Sequence, residues 1–172
     1  MENKAPYAFD CQPVLLKSAN SHEISLQVAR LDKIHPVISG NKIFKLHFFL
    51  EKAALTSHKT VITFGGAYSN HLVATAYACK QRGLKCIGIV RGNAAELTSF
   101  TTEQCLEFGM QLVPVSREDY HKKEYPEFLT TLRQTFGEFL LIPEGGYHPF
   151  GMKGASLIMQ HEQLQHATHI CT

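Results

Sequence analysis

Lys42 and Lys45 are the residues most able to do chemistry by their spacing. They lie three apart where a helix is predicted to open, after the turn Ser39-Gly40-Asn41, and residues three apart share a helix face. The free N–H groups and dipole of a helix N-terminus attract an anion and disfavour cations. Two lysines there either point into water or have the conflict resolved by a bound anion or by one amine held neutral as a nucleophile. A second candidate is the turn Gly65-Gly66-Ala67-Tyr68-Ser69-Asn70. The glycines allow close approach of a ligand to the backbone, and Ser69 and Asn70 fall at the start of the next helix. The same residues could be plain turn and cap chemistry. A third glycine turn, Glu144-Gly145-Gly146-Tyr147, could face the same crevice.

Other chemistries are disfavoured. The glycine spacing is neither a dinucleotide fingerprint nor a nucleotide phosphate loop. Among ten histidines, His161 and His166 flank Glu162, but the second lies five positions on from the first rather than four, so their imidazoles do not share a helix face and no metal site is expected. The five cysteines are odd in number and widely spaced, which argues for reduced thiols. Net charge is +2 without a basic run, so nucleic acid is not suggested, and no apolar stretch approaches membrane-spanning length. No signal-peptide pattern opens the chain, and a cytoplasmic location is expected by default.

The elements that must position these residues form a repeating pattern. Residues 24–29 alternate as a strand, and the lysine-bearing helix runs to about residue 56. Strands are predicted over 60–64, 86–90, 112–115 and 139–142. Between them come helices over 71–82 (with Leu72, Ala76 and Cys79 on one face), 95–108, and a charged stretch, 118–136, bent at Pro126. A last helix spans 151–165. This alternation predicts a three-layer α/β/α fold on a parallel sheet. The ending His169-Ile170-Cys171-Thr172 reads as the first residues of another strand, and suggests an N-terminal piece of a longer protein.

Taken together, Ser39-Gly40-Asn41-Lys42 with Lys45-Leu46, and Thr63-Phe64-Gly65-Gly66-Ala67-Tyr68-Ser69-Asn70-His71, resemble the 1-aminocyclopropane-1-carboxylate deaminase and D-cysteine desulfhydrase family. The resemblance covers nearly the whole chain, including Arg30, Asp32 and Pro143-Glu144-Gly145-Gly146. It implies the tryptophan-synthase-β-like fold type II of pyridoxal-phosphate enzymes. It also implies a lyase or deaminase acting on a small amino acid, with release of ammonia and a 2-oxo acid. Lys42 would carry pyridoxal 5'-phosphate as an imine, and Asn41 would adjoin it. Lys45 would contact the phosphate and Asn70 the ring hydroxyl. Ser69 would bind the substrate carboxylate or serve as the catalytic hydroxyl, with Asn70 and His71 also at the substrate. In this family histidine after Ser-Asn goes with the desulfhydrase-like members, so His71 inclines the expectation towards D-cysteine.

Phe44, His47 and Leu31 depart from the family pattern. The family's phosphate cup, the partner of its pyridine nitrogen and its substrate-selecting tyrosines lie further along than this sequence reaches. The implied division is residues 1–42 in a larger domain, 43–141 as a smaller α/β domain, and 142–172 returning to the larger one, apparently incomplete. A homodimer is expected when the protein is complete. The alternative is a catalytically incomplete fragment or degenerate homologue that folds or self-associates without activity. Leu157, Ile158 and Leu164 are expected to leave an apolar surface that drives association.

Overall fold

A computed structural model describes residues 7–17 and 24–171. Its centre is a four-stranded parallel sheet in the order β5-β4-β3-β6. The strands are β3 (Thr60–Gly66), β4 (Lys85–Arg91), β5 (Met110–Val115) and β6 (Leu140–Ile142). Register is fixed by Val61 opposite both Cys86 and Leu140, and by Cys86 opposite Met110. A short antiparallel pair, β1 (Cys11–Pro13) and β2 (Gln27–Ala29), stands apart from this sheet.

Period-two alternation assigns each side chain to a face. From β3 and β4, Val61, Cys86 and Val90 enter one core, while Ile62, Phe64, Ile87 and Ile89 enter the other. The first core is closed by α1 (Lys42–Leu55), α2 (Asn70–Lys80) and α3 (Phe100–Glu107), through Leu46, Phe49, Leu72, Cys79 and Cys105. The second is closed by α4 (Arg117–His121) and α5 (Pro126–Phe136), through Tyr120 and Leu132. Strands buried on both faces are what a parallel sheet under helices requires.

The last helix, α6 (Pro149–Ser156), packs on α1 at backbone distance. A Cβ on Gly154 would lie 2.0 Å from the Phe44 carbonyl oxygen, and one on Gly151 would lie 1.9 Å from that of Gly146. Bare glycine surfaces therefore set how closely these segments meet.

Several boundaries differ from the sequence expectations. β3 runs on through both glycines because Gly65 and Gly66 pair with Val90 and Arg91. The expected helix over 95–108 is split into a 3-10 turn, Ala94–Glu96, and α3. Ser99 causes the break: its hydroxyl accepts from the Thr102 amide at 3.1 Å and donates to the carbonyl of Ala67. Pro126 starts α5 rather than bending a continuous helix, as suits a residue with no N–H to contribute. The helix expected over 151–165 begins earlier, where His148 caps Phe150, and ends at Ser156. The Ser156 hydroxyl bonds back to the Lys153 carbonyl at 2.8 Å, and two 3-10 turns follow. The strand expected over 24–29 is confined to β2, and residues 165–171 form no strand. Residues 1–6 of the opening loop and Thr172 lie outside the described residues. Leu157, Ile158 and Leu164 are each half-buried, and Met152 is more exposed than any of them. Among the described residues no helix is long and apolar enough to cross a membrane, and no three His, Cys, Asp or Glu side chains gather as a metal-binding group.

Candidate active site

The loop before α1 delivers Lys42 to the carboxyl edge of the sheet. Gly40 has φ +65°, a conformation that glycine adopts without strain. Its amide donates to the Leu31 carbonyl at 3.1 Å, which ties the loop back on itself. Asn41 stands at the N-cap of α1, but its side chain does not cap the helix. Asn41 Oδ1 instead accepts from Lys42 Nζ at 2.9 Å, fixing the amine from the adjacent residue. Lys42 is half-buried, and burial, followed by the charge of Lys45, lowers its pKa from the ordinary value. No acidic residue lies in the first turn of α1 to oppose this.

The Lys42 amine faces a cleft of about 450 Å³ whose walls include Ser39, Asn41, Asn70, Val73 and Gln104. Among the described residues Lys42 is the single charged side chain of this lining, beside hydroxyl and amide groups. Asn70 reaches the cleft as the first residue of α2. Ser69 occupies the N-cap position without a side-chain cap. A Cβ on Gly65 would meet Ser69 Oγ at 2.8 Å and Leu72 Cγ at 2.7 Å, so Gly65 lets Ser69 fold over the end of β3. Ser69 does not line the cleft. The turn that carries it closes with the Ser69 amide on the Gly66 carbonyl at 3.0 Å, and the Ser99 hydroxyl holds its outer carbonyl, that of Ala67.

Lys45 and His71 come together beside the third glycine turn. Gly146 has φ +71°, and a Cβ there would lie 3.4 Å from Lys45 Cβ and 4.0 Å from His71 Cε1. His71 is buried, with Nε2 3.0 Å from Thr63 Oγ1 and its ring in reach of the Pro143 backbone. Burial, then the charges of Lys42 and Lys45, push its pKa down to about 4. Of the residues singled out from the sequence, Lys42, Asn41 and Asn70 line one cleft, whereas Lys45 and His71 meet beside the Gly146 turn. Sequence reasoning missed Gln104 and Val73, which carry no motif and reach the cleft only through helix packing. Thr63 had a weak signal, as a β-branched residue of a buried strand.

The depressed His71 pKa makes stability depend on pH. The unfolded histidine takes up its proton near 6.5 and the folded one only near 4, so the stability conferred by neutral His71 is complete above 6.5 and is lost as pH falls towards 4. The loss should reach about 3 kcal/mol. Urea midpoints at neutral and acid pH should converge in the His71→Gln variant relative to wild type; an unchanged pH dependence would refute this account of the site.

No protein-family model matches the chain. A Thermotoga maritima protein provisionally named a 1-aminocyclopropane-1-carboxylate deaminase is 34% identical over 142 residues, which cover 81% of this chain and 45% of that protein. A D-cysteine desulfhydrase of Yersinia enterocolitica is 26% identical, over 72% of this chain and 39% of that one. The crystal structure of a homologue of the deaminase superposes with a TM-score of 0.73 at 26% identity, covering 92% of this chain and 49% of the solved one. The chain therefore spans no more than about half the length of the relatives it matches.

Proposed function

We propose a function that proceeds from kinship: this chain is a relative of the 1-aminocyclopropane-1-carboxylate deaminase and D-cysteine desulfhydrase family, with the same fold type II architecture, and it carries the lysine side of a pyridoxal-phosphate site for a small amino acid. The observation that carries this reading is the half-buried Lys42 amine, with lowered proton affinity, held by Asn41 in a polar cleft shared with Asn70.

These residues fit the cofactor. Its aldehyde needs an amine with an appreciable neutral fraction, and Lys42 is the lysine whose surroundings favour that form. When bound, pyridoxal phosphate would supply the electron sink that labilises bonds at the substrate α-carbon. Asn41 orients Lys42 Nζ, and Nζ is the atom placed to accept and return a proton during turnover. Lys45, beside the Gly146 turn, supplies the fixed positive charge suited to a phosphate. Asn70 offers an amide to the ring hydroxyl. Ser69 is assigned to the substrate carboxylate. His71, held neutral under the site, adds no third positive charge and shapes the substrate side from behind. The reaction class is release of ammonia and a 2-oxo acid, and histidine at position 71 favours a D-cysteine-like substrate over the cyclopropane amino acid.

Borohydride fixation after mixing with pyridoxal phosphate, followed by peptide mass mapping, tests the site directly. The pyridoxyl group is expected on Lys42. Labelling scattered over surface lysines, unchanged in Lys42→Ala, would replace this reading with that of a chain that folds or self-associates without catalysis.

A further inference from the structure

A second cleft, of about 230 Å³, lies on the other side of the loop that precedes Lys42 and shares no lining residue with the first. His35 and Ile38 face the second cleft, whereas Pro36, Val37 and Ser39 face the first. Helices α1 and α2 wall both. We propose that this second cleft binds a small monocarboxylate with an aromatic or branched apolar body.

Its floor is aliphatic. Ile38, Leu46 and Leu50 belong to the buried core yet border the open space. Its walls include Tyr7 and Tyr77, with the His35 ring centroid 5.0 Å from that of Tyr77. An apolar cavity of about 150 Å³ accepts benzene, so this cleft has room for a ring and one small polar group.

The rim selects the charge of that group. Arg82 lines the cleft and donates to the Ala78 carbonyl at 3.3 Å; among the described residues no carboxylate lies within ion-pair distance of it. Arg82 lies close enough to the Tyr7 phenol to act on it electrostatically. The Tyr7 hydroxyl is itself paired with His47 Nδ1 at 3.1 Å. Glu51, whose charge also acts on the Tyr7 phenol, is held by His47 Nε2 at 3.2 Å rather than by the guanidinium. His35 Nδ1 accepts the amides of Val37 and Ile38, both at 3.0 Å, so the ring proton sits on Nε2 and is free to donate. A guanidinium and an imidazole N–H above an apolar floor match a carboxylate on an apolar body.

Phenylacetate is the probe, titrated into the isotopically labelled protein and followed by amide NMR, with phenylacetamide as the neutral analogue. Saturable shifts are expected at Ile38, Ile43, Tyr77 and Arg82. Phenylacetamide, and phenylacetate on Arg82→Gln, should each bind at least about tenfold more weakly. Equal binding of the amide, shifts confined to Ser39, Gly40 and Asn70, or no saturation at concentrations on the order of 10 mM would each overturn the assignment. The readout needs no cofactor, so it stands or falls apart from the activity proposed for Lys42.

Discussion

Replacing Lys42 by alanine should lower turnover of any amino-acid substrate by about a thousandfold or more and leave the fold intact. The size follows from the proposed role: the amine would be both the covalent attachment point and the atom that moves the proton, and neither task would pass to a neighbour. The Asn41 amide is too weak a base to take the proton, and Lys45 is turned towards the Gly146 turn. Stability should scarcely change, because among the described residues the hydrogen bond to Asn41 is the one bond lost, and the side chain is only half-buried. Lys42→Arg should not rescue, since a guanidinium stays charged and forms no imine. Turnover of D-cysteine and of 1-aminocyclopropane-1-carboxylate, measured beside the thermal midpoint, checks this. Activity surviving in Lys42→Ala would exclude the assigned role, and a large fall in midpoint would mean that the lysine is structural.

The second large effect is expected at Gly154. Alanine is the better helix former by about 1 kcal/mol, so a substitution judged by propensity alone would stabilise α6. The Cβ would instead stand 2.0 Å from the Phe44 carbonyl oxygen and 3.3 Å from Lys45 Cα, both backbone atoms that no side-chain rotation can move aside. Helices α1 and α6 must separate. Overpacking of this kind costs about 1–3 kcal/mol and occasionally more, and against rigid backbone the upper part of that range applies. A net loss of about 2 kcal/mol, or about 4–8 °C in thermal midpoint, is expected. Met152→Ala, on the same helix but 67% exposed, serves as the control and should change little. A Gly154→Ala variant as stable as the control would show that the two helices are not locked by backbone contact.

The regular parts of this fold were legible because local pattern and burial agree there. In β3 and β4, alternate residues serve opposite cores, and the β-branched runs announce both strands. The misjudged boundaries have tertiary causes. Gly65 and Gly66 read as turn residues, but the ladder to Val90 and Arg91 keeps them extended. Ser99 looked like helix interior, but its partner, the Ala67 carbonyl, is distant in sequence. The site divides in the same way. Lys42, Asn41 and Asn70 were visible through two short motifs, whereas Gln104 reaches the cleft because α3 lies beside α2. The second cleft left no trace in the sequence, since its lining is ordinary core residues seen from their uncovered side.

The pairing of β3 with β6 also bears on the order in which the chain acquires its site. β3 finds β4 across one short helix, but it finds β6, through Val61 and Leu140, only after the intervening strands and helices have been made. Closing so long a loop carries an entropic cost that local contacts do not share. The Gly146 turn, which follows β6, and α6, which docks on α1, should therefore settle after the lysine-bearing helix has formed. On the ribosome, Lys42 and Lys45 would wait for about a hundred further residues before the turn that faces Lys45 arrives. A cofactor offered early would meet the amine without its surroundings.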